Sequence, residues 1–290
     1  MKNKIIVDKN FVKKIYSGKK SKNFINLKKK FKRSNIPNNL IFDKDLNIIR
    51  LQPNASLLKK NKKLWTNLKY DKAKVYNAAS PYQIRRNKYI IDNILNIKNI
   101  KKILDFGSGD STFLKQLSLN IKKKTLYGFD QNVKRPNILL HNRKKIYLLT
   151  KKKIKENVPY DLISLNWVIS NAYDPWKIFH LCKNLLKNNG YLFVTESNVM
   201  LNKKYPRKVN SYFQMKDINL NQFCRPFHYT SLEIINLLKL NGFSVTKKIL
   251  SNKYNFKIFI AKKRINSNNK ISFKTNNKTE YLQFMNLFFR

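Results

Sequence analysis

An acid stands two residues before a glycine pair in the segment ILDFGSGDSTFLKQL, residues 103–117. An apolar run leads into Asp105 and Phe106, the chain bends through Gly107-Ser108-Gly109, and a helical pattern starts within the next few residues. Glycines at such a bend let a ligand touch the backbone, and the amides at the following helix N-terminus favour negative charge. That is the chemistry of nucleotide binding. A dinucleotide site would carry a third glycine where this chain has Thr112. A carboxylate at 105 facing the ligand would also repel a pyrophosphate and attract positive charge. A second acid, Asp130, followed by Gln131, ends the run Leu126-Tyr127-Gly128-Phe129 about twenty residues further on. An acid there can accept hydrogen bonds from both ribose hydroxyls. Acids are scarce, 15 against 62 Lys and Arg, yet two of them fall at two predicted strand ends.

These residues need elements to hold them. Apolar runs predict strands over 102–106, 125–130, 145–150, 160–166, 191–196, 243–249 and 256–262, with helices over 111–119, 174–187 and 231–241. Pro81 opens a further amphipathic helix in PYQIRRNKYIIDNILNI, which places Ile84, Tyr89 or Ile90, Ile91, Ile94 and Leu95 on one face. Strands separated by helices of this length imply parallel βαβ units. The expected fold is α/β, a Rossmann-like, doubly wound, mostly parallel sheet of seven strands with helices on both faces. Ligands bind such a sheet beyond the carboxyl ends of its strands.

The D-x-G-x-G turn after the first strand resembles the first motif of class I S-adenosylmethionine-dependent methyltransferases. S-adenosylmethionine carries an ammonium and a sulfonium, the charges that Asp105 would attract. The resemblance continues through YDLISLNWVISNAYDPWKIFHLCKNLLKNNGYLFVTE, residues 160–196, where Tyr160-Asp161 opens a strand and Asn166-Trp167 ends it. Leu185-Leu186-Lys187-Asn188-Asn189-Gly190 then stands where the family has "LLK-x-G-G", with Asn189 in place of the first glycine. Arg225-Pro226-Phe227, Ser231-Leu232 and Asn241-Gly242-Phe243 resemble the "R-P-F…S-L…G-F" stretch of many members that act on small molecules and sugars. The likeness covers roughly residues 78–262.

It implies S-adenosylmethionine held by Asp105, Phe106, Gly107, Ser108, Gly109, Asp130, Gln131, Asn166 and Trp167. Trp167 is expected either to close the pocket over the methionine moiety or to lie in the core. Relatives often hold the adenine amino group with an acid after the third strand; here the sequence is Leu149-Thr150-Lys151, so Thr150 or a backbone group takes that place. Transfer from a sulfonium needs alignment in a dry pocket, and a base where the acceptor must lose a proton. His228 is the first candidate base, Glu196 the second and Tyr229 the third, although a structural histidine and a pocket-wall glutamate are competing readings. The fourth strand runs Asn166-Trp167-Val168-Ile169 and lacks the N-P-P-Y signature for a flipped adenine. A small molecule or sugar is therefore the expected acceptor. RNA or a ribosome reached through a basic arm is an alternative, as is a non-catalytic binding module.

The formal charge of +47 excludes an acidic surface, but most of the excess is Lys spread over the chain, and Arg occurs only ten times. Composition bias explains much of it, while so few acids leave room for a nucleic-acid partner bound through the Lys-rich arm. Residues 1–70 read as that arm plus a small appendage, 71–263 as a methyltransferase domain and 264–290 as a tail ending in a short apolar helix. No sustained period organises the first 35 residues. Cys182 and Cys224 form no C-x-x-C pair, so neither a zinc ribbon nor a disulfide framework is expected, nor any metal. No run reaches the ~18–20 apolar residues of a membrane span, and no secretory leader is apparent. A soluble cytoplasmic protein is expected, and the sequence leaves its oligomeric state open.

Overall fold

Alternation along the strands decides where the core sits. The computed structural model describes residues 4–6, 40–43, 48–51, 63, 81–121, 123–131, 136–172, 175–197, 231–251 and 256–264. A first, antiparallel sheet has the order β1 (Lys4–Ile6), β2 (Leu40–Asp43), β3 (Ile48–Leu51). Its first strand falls within the stretch in which no period is legible, because three residues are too few to show one. The elements that follow are α1 (Pro81–Leu95), β4 (Lys102–Phe106), α2 (Thr112–Asn120), β5 (Thr125–Phe129), β6 (Asn137–His141), β7 (Lys144–Leu149), α3 (Lys151–Glu156), β8 (Tyr160–Asn166), α4 (Pro175–Leu185), β9 (Leu186–Ser197), α5 (Ser231–Leu240), β10 (Phe243–Ser251) and β11 (Phe256–Lys263).

Eight strands form the main sheet in the order β10-β11-β9-β8-β4-β5-β7-β6. The five from β9 to β7 are mutually parallel, while β11 joins β9, β10 joins β11 and β6 joins β7 in antiparallel pairs. The expected sheet was mostly parallel with seven strands. The eighth is β6, a hairpin partner of β7. Its turn, Asn142-Arg143, has both φ angles positive, at 48° and 59°, as a two-residue hairpin turn requires, but lacks the glycine that signals such a turn in sequence. Helix α3 was also not expected, since Ile154 is its only buried residue.

Successive residues of a strand face opposite sides. Ile103, Leu162, Phe193 and Ile258 pack with Ile90, Ile94, Leu114 and Leu117 of α1 and α2. Their neighbours Leu104, Ile163, Val194 and Phe259 pack with Phe179 and Cys182 of α4 and Leu237 and Leu238 of α5. Each such side chain contributes roughly 1.5–3 kcal/mol by leaving water. Helices therefore cover both faces, and burial pushes the Cys182 thiol up. The strand order reverses around β4, with β5 on one side and β8 on the other. The crevice of a doubly wound sheet opens above such a reversal. Among the described residues no helix is long and apolar enough to cross a membrane.

Candidate functional site

The reversal between β4 and β8 places Asp105 beside Ser164, which are register partners. Both are buried. Ser164 Oγ donates to Asp105 Oδ1 at 2.7 Å, and Asn166 Nδ2 donates to the same oxygen at 3.0 Å. The Asn166 carbonyl oxygen in turn accepts from Thr195 Oγ1 at 3.0 Å, so one polar chain links the carboxyl ends of β4, β8 and β9. Burial raises the Asp105 carboxyl more than these two neutral donors lower it. With the nearby Asp130 charge adding to the rise, it is pushed up to about 7.

The bend after β4 is closed on itself. Gly107 N and Ser108 N both donate to the Phe129 carbonyl, at 2.6 and 2.9 Å, and Ser111 N donates to the Ser108 carbonyl at 2.8 Å. Gly109 N donates to Asp130 Oδ2 at 3.1 Å. Thr112 gives its amide to Asp110 Oδ1 at 3.0 Å and its hydroxyl to Asp110 Oδ2 at 2.7 Å. The amides of Gly107, Ser108, Gly109, Ser111 and Thr112 are thus engaged within the protein, which weakens the expectation that this helix start favours an anion. Gly107 has φ +85°, and a Cβ there would meet Val168 Cγ2 at 2.5 Å. A Cβ on Gly128 would come within 2.8 Å of both Leu114 and Leu148 and 3.0 Å of Ser108 Oγ. Ser108 Oγ itself is buried and has no hydrogen-bond partner among the described residues.

Of the other expected contacts, Phe106 is buried and its ring lies 4.7 Å from that of Phe129, beneath the bend. Asp130 is buried at the end of β5, and Gln131 beside it is exposed. Thr150 caps α3 by accepting from Lys153 N at 3.4 Å. Trp167 has φ +56°, a conformation that strains a bulky residue, and its amide donates to the Thr195 carbonyl at 3.0 Å. The Arg86 guanidinium lies 3.9 Å above its ring, and Phe256 packs edge-on at 5.9 Å. Glu196 is buried, and its Oε1 accepts from Ser170 N at 3.1 Å, holding the turn that carries Val168 over Gly107. His228 and Tyr229, and the Arg225-Pro226-Phe227 stretch, lie outside the described residues.

The structure brings Asp105, the glycine bend, Asp130 and Asn166 together, and adds Ser164 and Thr195 to them. Sequence reasoning missed those last two. The available signal was a small polar residue inside the apolar run Leu162-Ile163-Ser164-Leu165, on the strand next to an acid.

Residues 64–248 match the family described as "Methyltransferase domain". A search of the curated proteins gives no match. Among solved structures, an O-methyltransferase family protein from Burkholderia thailandensis is 13% identical with a TM-score of 0.46, over 72% of this chain and 70% of that one. Human N-acetylserotonin methyltransferase, solved with S-adenosylmethionine, is 16% identical with a TM-score of 0.49, over 63% of this chain and 53% of that one. Magnesium protoporphyrin IX methyltransferase from Synechocystis, solved with S-adenosylhomocysteine, is 14% identical with a TM-score of 0.44, over 63% of this chain and 83% of that one.

Proposed function

The chain belongs to the methyltransferase domain family, and on that premise we propose that it transfers a methyl group from S-adenosylmethionine to a small-molecule or sugar acceptor. The observation that carries the donor reading is Asp105, a buried carboxylate beside a bend whose amides are already engaged. Such a place disfavours a phosphate and favours a cation. The residues present fit the donor. Asp105 would hold its ammonium, Asp130 its ribose hydroxyls, and Gly107 to Gly109 would let it lie against backbone, with Gln131 and Thr150 flanking the adenine. Ser108 Oγ, buried with no partner among the described residues, supplies one more polar contact. When bound, S-adenosylmethionine supplies a methyl group on a positive sulfur whose departure is neutral and needs no acid.

For the acceptor, two features support a small molecule over a flipped base. The N-P-P-Y signature is missing from Asn166-Trp167-Val168-Ile169, and the Trp167 ring is already packed against Arg86 and Phe256. Glu196 Oε1 accepts from the Ser170 amide, and we assign the acceptor's proton to His228, the first candidate. His228→Ala should slow turnover by about 10²-fold or more with cofactor affinity intact.

Calorimetry tests the donor reading. The protein should bind S-adenosylmethionine in the micromolar range, and Asp130→Ala should weaken it by about 30-fold or more. Equal heats for the two proteins would overturn it. A tritiated-methyl screen over sugar nucleotides, metabolites and total RNA then addresses the acceptor. The charge of +47, with Lys151, Lys152, Lys153 and Lys155 exposed on α3, favours RNA as the second reading. RNA contacting about six or more phosphates would lose affinity by orders of magnitude between ~50 and ~200 mM salt; a flat response removes it.

A further inference from the structure

Asp105 is flanked in register by Gly128 on β5 and Ser164 on β8, so a bare backbone lies on one side and a hydroxyl on the other. Ser164 and Asn166 both donate to Oδ1. No donor among the described residues reaches Oδ2. Three carboxylates stand near it among the described residues. Asp130, at the end of β5, acts on Asp105 through its field. Asp110 in the bend is closed onto Thr112, and Glu196 at the end of β9 accepts the Ser170 amide. Ser164 is fully buried between Ile163 and Leu165, where a hydroxyl without a partner is costly, and the partner it has is Asp105.

We propose that Ser164 is a positioning residue for the methyl donor: by donating to Asp105 Oδ1 it orients the buried carboxyl, favours its anion over its acid and leaves Oδ2 for the donor's ammonium. Thr195 is the next link, since its hydroxyl occupies the Asn166 carbonyl and so turns the Asn166 amide group toward Asp105. The assignment rests on the donor reading above.

The test is calorimetric binding of S-adenosylhomocysteine, which keeps the amino group, from about pH 6 to about pH 8. Losing the Ser164 hydroxyl moves the Asp105 carboxyl up by roughly one pH unit. Ser164→Ala should then bind about tenfold more weakly than the unaltered protein near pH 6 and less than about twofold more weakly near pH 8. Asp105→Asn should remove the pH dependence below neutrality. A packing defect does not recover with pH, so a deficit that is the same throughout, or none, overturns the role of Ser164 while leaving the donor reading in place. An unaltered protein that binds no S-adenosylhomocysteine overturns both. Should Ser164→Ala not fold, Ser164→Cys keeps a donor in place, a weaker one on a somewhat larger atom, and should shift the profile the same way by less. An unshifted profile for that variant overturns the proposal.

Discussion

Two carboxylates tie β4 to β8 at opposite ends, and they are treated in opposite ways. At the amino ends, Asp161 Oδ2 accepts the amides of Lys101 and Lys102 at 2.9 and 2.8 Å, while Oδ1 pairs with the Lys187 ammonium. At the carboxyl ends, Asp105 meets only the neutral donors Ser164 and Asn166. Burial raises both carboxyls. At Asp161 the Lys187 contact and the two amides outweigh it and hold the carboxyl below its ordinary range. At Asp105 burial prevails and the carboxyl sits near 7. One end of the strand pair is finished by charge; the other is left short of it. The unmatched end is the one that fits the cationic donor proposed above.

Three experiments put that contrast to the test. The largest effect is expected at Asp105. Its folded-state carboxyl lies above the unfolded value near 4, so the folded form binds the extra proton and is favoured below that value, losing the advantage as pH rises to about 7. The empty protein should therefore lose on the order of a few kcal/mol of stability across that window, and Asp105→Asn should not. Denaturant midpoints that shift equally at about pH 5 and about pH 8 for both proteins would erase the contrast. Next, Asp161→Ala gives up two amide hydrogen bonds and an ion pair whose lysine is 39% exposed, which costs about 2 kcal/mol near neutrality. The sign is opposite here: a lowered carboxyl contributes above its unfolded value and is lost as pH falls through its folded one. The deficit should fade below about pH 4, with cofactor affinity per folded molecule unchanged. The smallest effect is expected at Glu196→Gln, which keeps an acceptor for the Ser170 amide. Turnover within about threefold of the original fits a positioning role, and a loss of about 10²-fold or more would instead make Glu196 the base.

The polar cluster at the carboxyl ends of the strands was largely legible in sequence, for a physical reason. A glycine bend must be made of glycines, and carboxylates at strand ends stand out in a chain with 15 acids. The alternating apolar runs likewise placed four of the five central strands and four helices close to their observed limits; β9 instead begins at Leu186, inside the expected helix 174–187 and five residues before the expected strand 191–196, because Leu186 pairs with Tyr160 of β8. Hidden from it was whatever depends on pairing across strands. Ser164 reads as an ordinary strand residue until β8 is known to lie against β4 in that register. Glu196 reads equally well as a base or a wall residue until the Ser170 amide is found on it. The hairpin strand β6 escaped because two of its apolar residues, Ile138 and Leu140, are 52% and 69% exposed, which leaves a weak one-sided pattern.

The half-protonated state of Asp105 carries a thermodynamic signature of its own. With its carboxyl near 7, the empty protein holds roughly half a proton there at neutrality. A ligand that needs the anion must expel it. The apparent heat of binding should then differ between phosphate and Tris at the same pH, in proportion to the ionisation enthalpy of each buffer, and the number of protons released should grow as the solution is made more acid.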